Sequence, residues 1–178
     1  MRVEAVILQA FFVVLLPLAA DEPPQAIEVS FSSPAATAAG TLLVPHAHEK
    51  LPCVVIIGGS MSHTRDGALL GRPAPPRDAL KRLAEELARE GYASLRYDRA
   101  GHGASQRGPA WKDTYADEAA VAAAALRFAR ERPEVSKVIA AGESAGGYLA
   151  CLAARDGAHA DGYVFLGALC GPVEELYE

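Results

Sequence analysis

Residues 52–57 run Pro-Cys-Val-Val-Ile-Ile and then break at Gly58-Gly59-Ser60. An uninterrupted β-branched run has no polar face to turn toward water. It therefore reads as a strand buried on both sides, the mark of a parallel sheet covered by helices. A chain holding such a strand must supply helices for both faces. Residues 77–90 place Leu80, Leu83, Ala84, Leu87 and Ala88 on one face at helical spacing, with charges opposite and Gly91 as the stop. Residues 115–130 form an Ala-rich helix ended before Pro133, and residues 148–154 form a third helix.

Strands are expected between these helices at 92–97, 138–141 and 163–166, with two more, 26–31 and 39–44, ahead of the buried run. Strand and helix then alternate, which argues for a mostly parallel sheet with helices on both faces. Right-handed crossovers set the functional loops at the carboxyl ends of the strands. Three Gly-rich turns, at 58–59, 98–103 and 142–147, fall at such ends and so share one edge.

With 178 residues, half of them hydrophobic, the chain is long enough for one domain with a real core. Its net charge of -5 offers nothing to nucleic acid or an anionic membrane. Residues 1–20 carry a short basic start, an apolar stretch and the small-residue exit Leu18-Ala19-Ala20. They read as a signal peptide cleaved after Ala20, with the domain at 21–178 and export to the periplasm or beyond. The apolar stretch is short of the ~20 residues of a membrane span, so no stable span is expected after cleavage. Cys53, Cys151 and Cys170 are odd in number and read as small buried hydrophobes. His46 and His48 lack a third ligand nearby and read as part of a solvated loop. The glycine patterns of the phosphate loop and the dinucleotide fold are absent.

Gly142-Glu143-Ser144-Ala145-Gly146 carries the chemistry. A serine hydroxyl becomes a useful nucleophile when it stands clear of the backbone and a base takes its proton. A sharp strand-to-helix turn exposes it, and crowding there demands small residues two before and two after. Gly142 and Gly146, with Gly147 behind them, meet that demand. Ser144 is the candidate nucleophile, and the Ala145 N–H is a candidate oxyanion donor. The second donor is expected in Gly58-Gly59-Ser60-Met61, where glycine lets backbone approach a carbonyl oxygen; the N–H of Ser60 or of Met61 are the candidates.

These segments, together with Thr64-Arg65-Asp66-Gly67 and the stretch from Tyr92 to Ser105, resemble the α/β-hydrolase superfamily. The likeness is to its esterase and serine aminopeptidase-like branch, related to dienelactone hydrolases. It spans roughly residues 26–169. It implies a three-layer α/β sandwich and hydrolysis of small carboxylic esters or short peptide amides through an acyl-serine, without a metal or organic cofactor. Where that branch often has Gly-Pro, this chain has Met61-Ser62-His63, so the loop beside the acyl pocket is expected to differ.

In this superfamily the triad acid and histidine follow the serine in the chain. The only later histidine, His159, comes too soon after the nucleophile helix to be the base, and Asp156, Asp161 and Glu174 read as loop or cap residues. His102 belongs to a structural turn. His63 is a candidate substrate contact. The last strands and helices of the fold, with the acid and histidine, are therefore expected beyond Glu178, which would leave residues 163–166 as an uncovered apolar sheet edge. A hydrolase-like module used for binding or assembly is the alternative.

Overall fold

Two strands open the fold as a hairpin, β1 (Gln25–Ser33) and β2 (Ala36–Val44), antiparallel along their whole length from Ser33↔Ala36 to Gln25↔Val44. The computed structural model describes residues 22–61, 63–71 and 78–168. Residues 1–20, expected from the sequence to be a signal peptide, lie outside them, as do Cys170 and Glu174. After the hairpin come β3 (Leu51–Ile57), α1 (Ala79–Arg89), β4 (Ala93–Tyr97), β5 (Gln106–Arg107), α2 (Tyr115–Arg130), β6 (Val135–Glu143), α3 (Ala145–Arg155) and β7 (Gly162–Leu166).

The strands join one sheet in the order β1-β2-β4-β3-β6-β7, with the short β5 paired to β2. From β4 to β7 every pairing is parallel; the hairpin adds its antiparallel edge at β4. The buried run of β3 occupies the middle, between β4 and β6, as its lack of a polar face requires. Its side chains alternate. Val54 and Ile56 pack with Leu43, Ala84 and Ala88 under α1, while Cys53, Val55 and Ile57 pack with Val121, Ala122 and Leu149 under α2 and α3. Each such Val or Ile contributes about 1.5–3 kcal/mol by leaving water.

The elements match the sequence expectation closely, apart from longer β1 and β2 strands and the following differences. β6 runs three residues earlier and two later than its apolar centre, because pairing with β3 continues through Leu51↔Val135 and Ile57↔Gly142. The third helix starts at Ala145 rather than at Tyr148, directly from the strand. β5 has no hydrophobic signature and exists through its ladder with Ala36 and Thr37. The helix α2 begins with a capping box that the sequence reading passed over: Thr114 Oγ1 accepts from the Asp117 N–H at 3.2 Å, and the Asp117 carboxylate accepts from the Thr114 N–H at 3.0 Å.

β7 forms the sheet edge beyond β6, and Tyr163, Val164, Phe165 and Leu166 are all exposed. Among the described residues, α3 meets that row where Gly147 lies against the Phe165 ring, yet the four side chains stay exposed. No helix among the described residues is long and apolar enough to cross a membrane.

The cysteines divide. Cys53 is fully buried, and burial pushes its thiol up to about 12. Cys151 is exposed on α3, contrary to the expectation of a buried residue; the Ala/Leu-rich helix presents it outward while Leu149, Ala150 and Ala153 face the sheet. A maleimide applied to the native protein at neutral pH is expected to modify Cys151 and to spare Cys53 until the protein is unfolded, as peptide mapping will show.

Candidate active site

Ser144 sits between the last residue of β6 and the first of α3, with φ 52° and ψ -123°. A non-glycine residue rarely adopts positive φ, and holding one there costs about 1–3 kcal/mol. The turn is kept tight by three close approaches. A Cβ on Gly146 would lie 2.0 Å from the Ile57 carbonyl oxygen, and one on Gly142 would lie 2.3 Å from the Gly147 nitrogen. On Gly147 it would meet the Ala168 side chain at 2.5 Å. These glycines are steric requirements of the turn, as the pentapeptide suggested. The Ser144 N–H donates to the Leu166 carbonyl at 3.0 Å, which ties the turn to β7. Ala145, as the first residue of α3, contributes one of the amides that a helix leaves without an internal acceptor. No acidic side chain occupies that first helical turn to compete for them.

Gly58-Gly59-Ser60-Met61 follows β3, the strand beside β6. β3 and β6 pair Ile57 with Gly142, so the two loops leave the sheet at the same height. A Cβ on Gly59 would lie 3.0 Å from the Ser144 Cβ. Gly59, Ser60, Met61, His63, Glu143 and Ser144 line one cavity of about 190 Å³, whose wall is completed by Leu69 and Leu80. The structure thus brings together the candidate serine, the loop holding the second candidate donor, and an apolar pocket.

Several charged residues brace this edge, and the sequence reading gave none of them a role. Glu143, the variable residue of the pentapeptide, accepts the Gly59 N–H at 3.0 Å through Oε2. Arg99 donates to the Ser60 carbonyl at 2.6 Å and to Glu118 Oε1 at 2.6 Å. Asp98 is almost wholly buried; it accepts from the Arg65 N–H at 2.9 Å, from the Arg65 guanidinium at 2.8 Å and 3.1 Å, and from the Ala104 N–H at 3.3 Å. Arg96, buried within β4, donates to Asp66 at 2.7 Å. Glu28 lies outside the edge but joins the chain of contacts. Its carboxyl is held below the usual carboxylate range by the Thr41 hydroxyl and, against the effect of burial, by Arg65. Asp98 and Arg99 stand just past the end of β4, but nothing local names the partners of any of these braces.

The remaining candidates separate clearly. His63 is 6% exposed, and its ring lies over Gly58, where a Cβ would come within 2.4 Å of Cε1. Its Nδ1 is 2.7 Å from the Thr64 carbonyl oxygen. It lines the cavity, yet its main contact is with the loop backbone beneath it. His102 sits in the 98–105 turn, with Nδ1 3.3 Å from the Ala100 carbonyl oxygen. That turn is tied down by Ser105, which donates to the Asp98 carbonyl and accepts the Ala39 N–H. His159 lies ahead of β7 at the amino edge of the sheet, opposite to Ser144. Asp161 accepts the Val138 N–H at 2.8 Å, which lowers its carboxyl, and so it joins β6 to the start of β7. Asp156 pairs with Arg155. None of the three C-terminal groups described approaches the serine.

A strained serine turn between a parallel strand and its helix, on a sheet covered on both faces, defines an α/β hydrolase. The sequence profile of the serine aminopeptidase (S33) hydrolase family matches residues 77–177, and the chain belongs to that family. No curated protein shows significant similarity to it. Among solved structures it is similar to an α/β hydrolase from Penicillium sp., with 21% identity, TM-score 0.65, and coverage of 82% of this chain and 46% of that one. It is similar also to a dienelactone hydrolase from Anabaena variabilis, with 21% identity, TM-score 0.61, and coverage of 83% and 65%. A third is brefeldin A esterase, described as a bacterial homologue of human hormone-sensitive lipase, with 21% identity, TM-score 0.57, and coverage of 82% and 40%. At such identities these likenesses speak for the fold. The chain spans 46% to 65% of the length of the first three solved chains that it matches.

The strain at Ser144 has a measurable consequence. Ser144→Gly relieves the positive φ, partly offset by the greater freedom of glycine in the unfolded chain, and is expected to raise stability by about 1 kcal/mol. Gly146→Ala drives a methyl into the Ile57 carbonyl and is expected to cost about 3 kcal/mol. Urea denaturation of both variants checks the opposite signs.

Proposed function

We propose that the protein is a serine hydrolase that cleaves small carboxylic esters, with short peptide amides as the second substrate class, through an acyl-serine intermediate. The observation that carries this reading is Ser144, held at φ 52° at the mouth of a cavity it shares with the Gly59–Met61 loop. In the reaction, Ser144 Oγ bonds to the acyl carbon as its proton passes to a base, and the carbonyl electron pair moves onto oxygen. The Ala145 N–H and one amide of the 58–61 loop receive that oxyanion. Its collapse expels the alkoxide or amine, which takes the proton. Water then attacks the acyl-serine in the same manner and returns Oγ to its hydroxyl form. In this fold the base is a histidine, and it and its acid follow the nucleophile in chain order; neither is assigned among the described residues.

A cavity of about 190 Å³ walled by Leu69 and Leu80 favours a short acyl group over a long chain. Esters stand ahead of peptides in this reading because the pocket wall formed by Leu69 and Leu80 is apolar.

The protein expressed from its own gene is expected to react with a fluorophosphonate probe and to turn over p-nitrophenyl acetate. Ser144→Ala is expected to reduce both to background. Labelling that survives Ser144→Ala, or its absence from the unaltered protein, sinks the proposal. Faster cleavage of aminoacyl p-nitroanilides than of acetate esters would transfer it to the peptidase class.

A further inference from the structure

We infer that Arg99 is the positioning residue of the oxyanion hole, and that the amide it positions is the N–H of Met61 rather than that of Ser60. This rests on the serine-hydrolase reading of Ser144.

The inference follows from strand order and peptide geometry. At the carboxyl edge of the sheet, the loop after β3 lies between the loop after β4, which carries Arg99, and the turn after β6, which carries Ser144. Arg99 Nη1 donates to the Ser60 carbonyl at 2.6 Å, so that carbonyl points to the β4 side, away from the serine. The described residues contain no cis peptide bond. In a trans peptide the N–H points opposite to the C=O of the same plane. The Met61 N–H is therefore turned toward the β6 side, where Ser144 stands and where an acyl oxygen would develop its charge. Met61 lines the same cavity as Ser144.

Two peptide planes of this loop are held by charge. Arg99 is not free to swing, because its Nη2 donates to Glu118 Oε1 at 2.6 Å and Glu118 is buried in the first turn of α2. One residue earlier than Ser60, the Gly59 N–H is taken by Glu143 at 3.0 Å, which removes it from the set of available donors. Glycine at 59 is needed for this closeness, since a Cβ there would lie 2.7 Å from that same carboxylate oxygen. An anion on the β6 side grips the 58–59 peptide and a cation on the β4 side grips the 60–61 peptide, and the second grip orients the Met61 N–H of that same plane before substrate arrives. Preorganised donors of this kind act because they need not be reoriented as the charge forms.

The test compares an ester with its thionoester, p-nitrophenyl acetate with p-nitrophenyl thionoacetate. Sulfur accepts hydrogen bonds poorly, so the oxo-to-thiono ratio of kcat/KM reads the oxyanion hole itself. Arg99→Met is expected to lower kcat for the oxo ester about 10- to 100-fold, less than the roughly 100- to 1000-fold for outright loss of one such donor because the amide itself remains, with KM within threefold. The oxo-to-thiono ratio should fall by about tenfold or more. Because Arg99→Met leaves Glu118 buried and unpaired, the double variant Arg99→Met/Glu118→Met, which removes both charges, is measured alongside. It should show the same ratio, whatever the stability of the single variant. An unchanged oxo-to-thiono ratio in the folded double variant, or a loss confined to KM, overturns the role of Arg99. An unaltered protein with no Ser144-dependent turnover overturns the hydrolase reading and this inference with it, and the two failures are thereby told apart.

Discussion

The rest of this site depends on the near contact between Gly146 and the carbonyl of Ile57. The first turn of α3 is pressed so hard against the end of β3 that a single added methyl would lie 2.0 Å from that oxygen. This closeness is possible because β3 and β6 are parallel neighbours that end in register, Ile57 opposite Gly142. The helix must turn back at once to cover the sheet, and the chain does so in one residue, Ser144, at φ 52°. Strain is thus concentrated at the residue proposed as the nucleophile. Packing of Leu149, Ala150 and Ala153 onto the sheet supplies the free energy that sustains it.

Around that turn the carboxyl edge is closed by ion pairs and charged hydrogen bonds that run from loop to loop. Arg65 joins the 58–71 segment to Asp98, Arg96 of β4 meets Asp66, Arg99 joins the Ser60 carbonyl to α2, and Glu143 joins the serine turn to Gly59. Several of these groups are largely out of water, where an unpaired charge is costly, so each partner holds the other in place. Loops that would otherwise fluctuate become fixed ends of a rigid sheet, and a catalytic constellation tolerates only about 0.5 Å of looseness. The Ala-rich stretch of α2 serves the same end by a different route. Its small side chains let the helix approach the sheet and α3 closely, which brings Glu118 within reach of Arg99.

Much of the architecture was legible in the chain because it is dictated over short distances. The apolar run from Cys53 to Ile57, β-branched from Val54 onward, had to be central, the spacing of Leu80, Leu83, Ala84 and Leu87 had to be a helix with one wet face, and the crowding about Ser144 had to be relieved by Gly142 and Gly146. The triad acid and histidine were not legible, since no later residue stands in the expected place. His159 and Asp161 prove to belong to the amino edge of the sheet, far from the serine.

The sequence by itself determined the identity of the sheet's centre, the helix faces, the serine turn and the family to which they belong, for each is a matter of periodicity or local sterics. Tertiary structure decided the rest. It turned Cys151 outward, laid His63 over Gly58, gave Glu143 the Gly59 N–H and set Arg99 against the Ser60 carbonyl. These contacts join residues 39 and 84 positions apart for Arg99–Ser60 and Glu143–Gly59. They exist because the strands line up as β4-β3-β6, an order that no short stretch of sequence encodes.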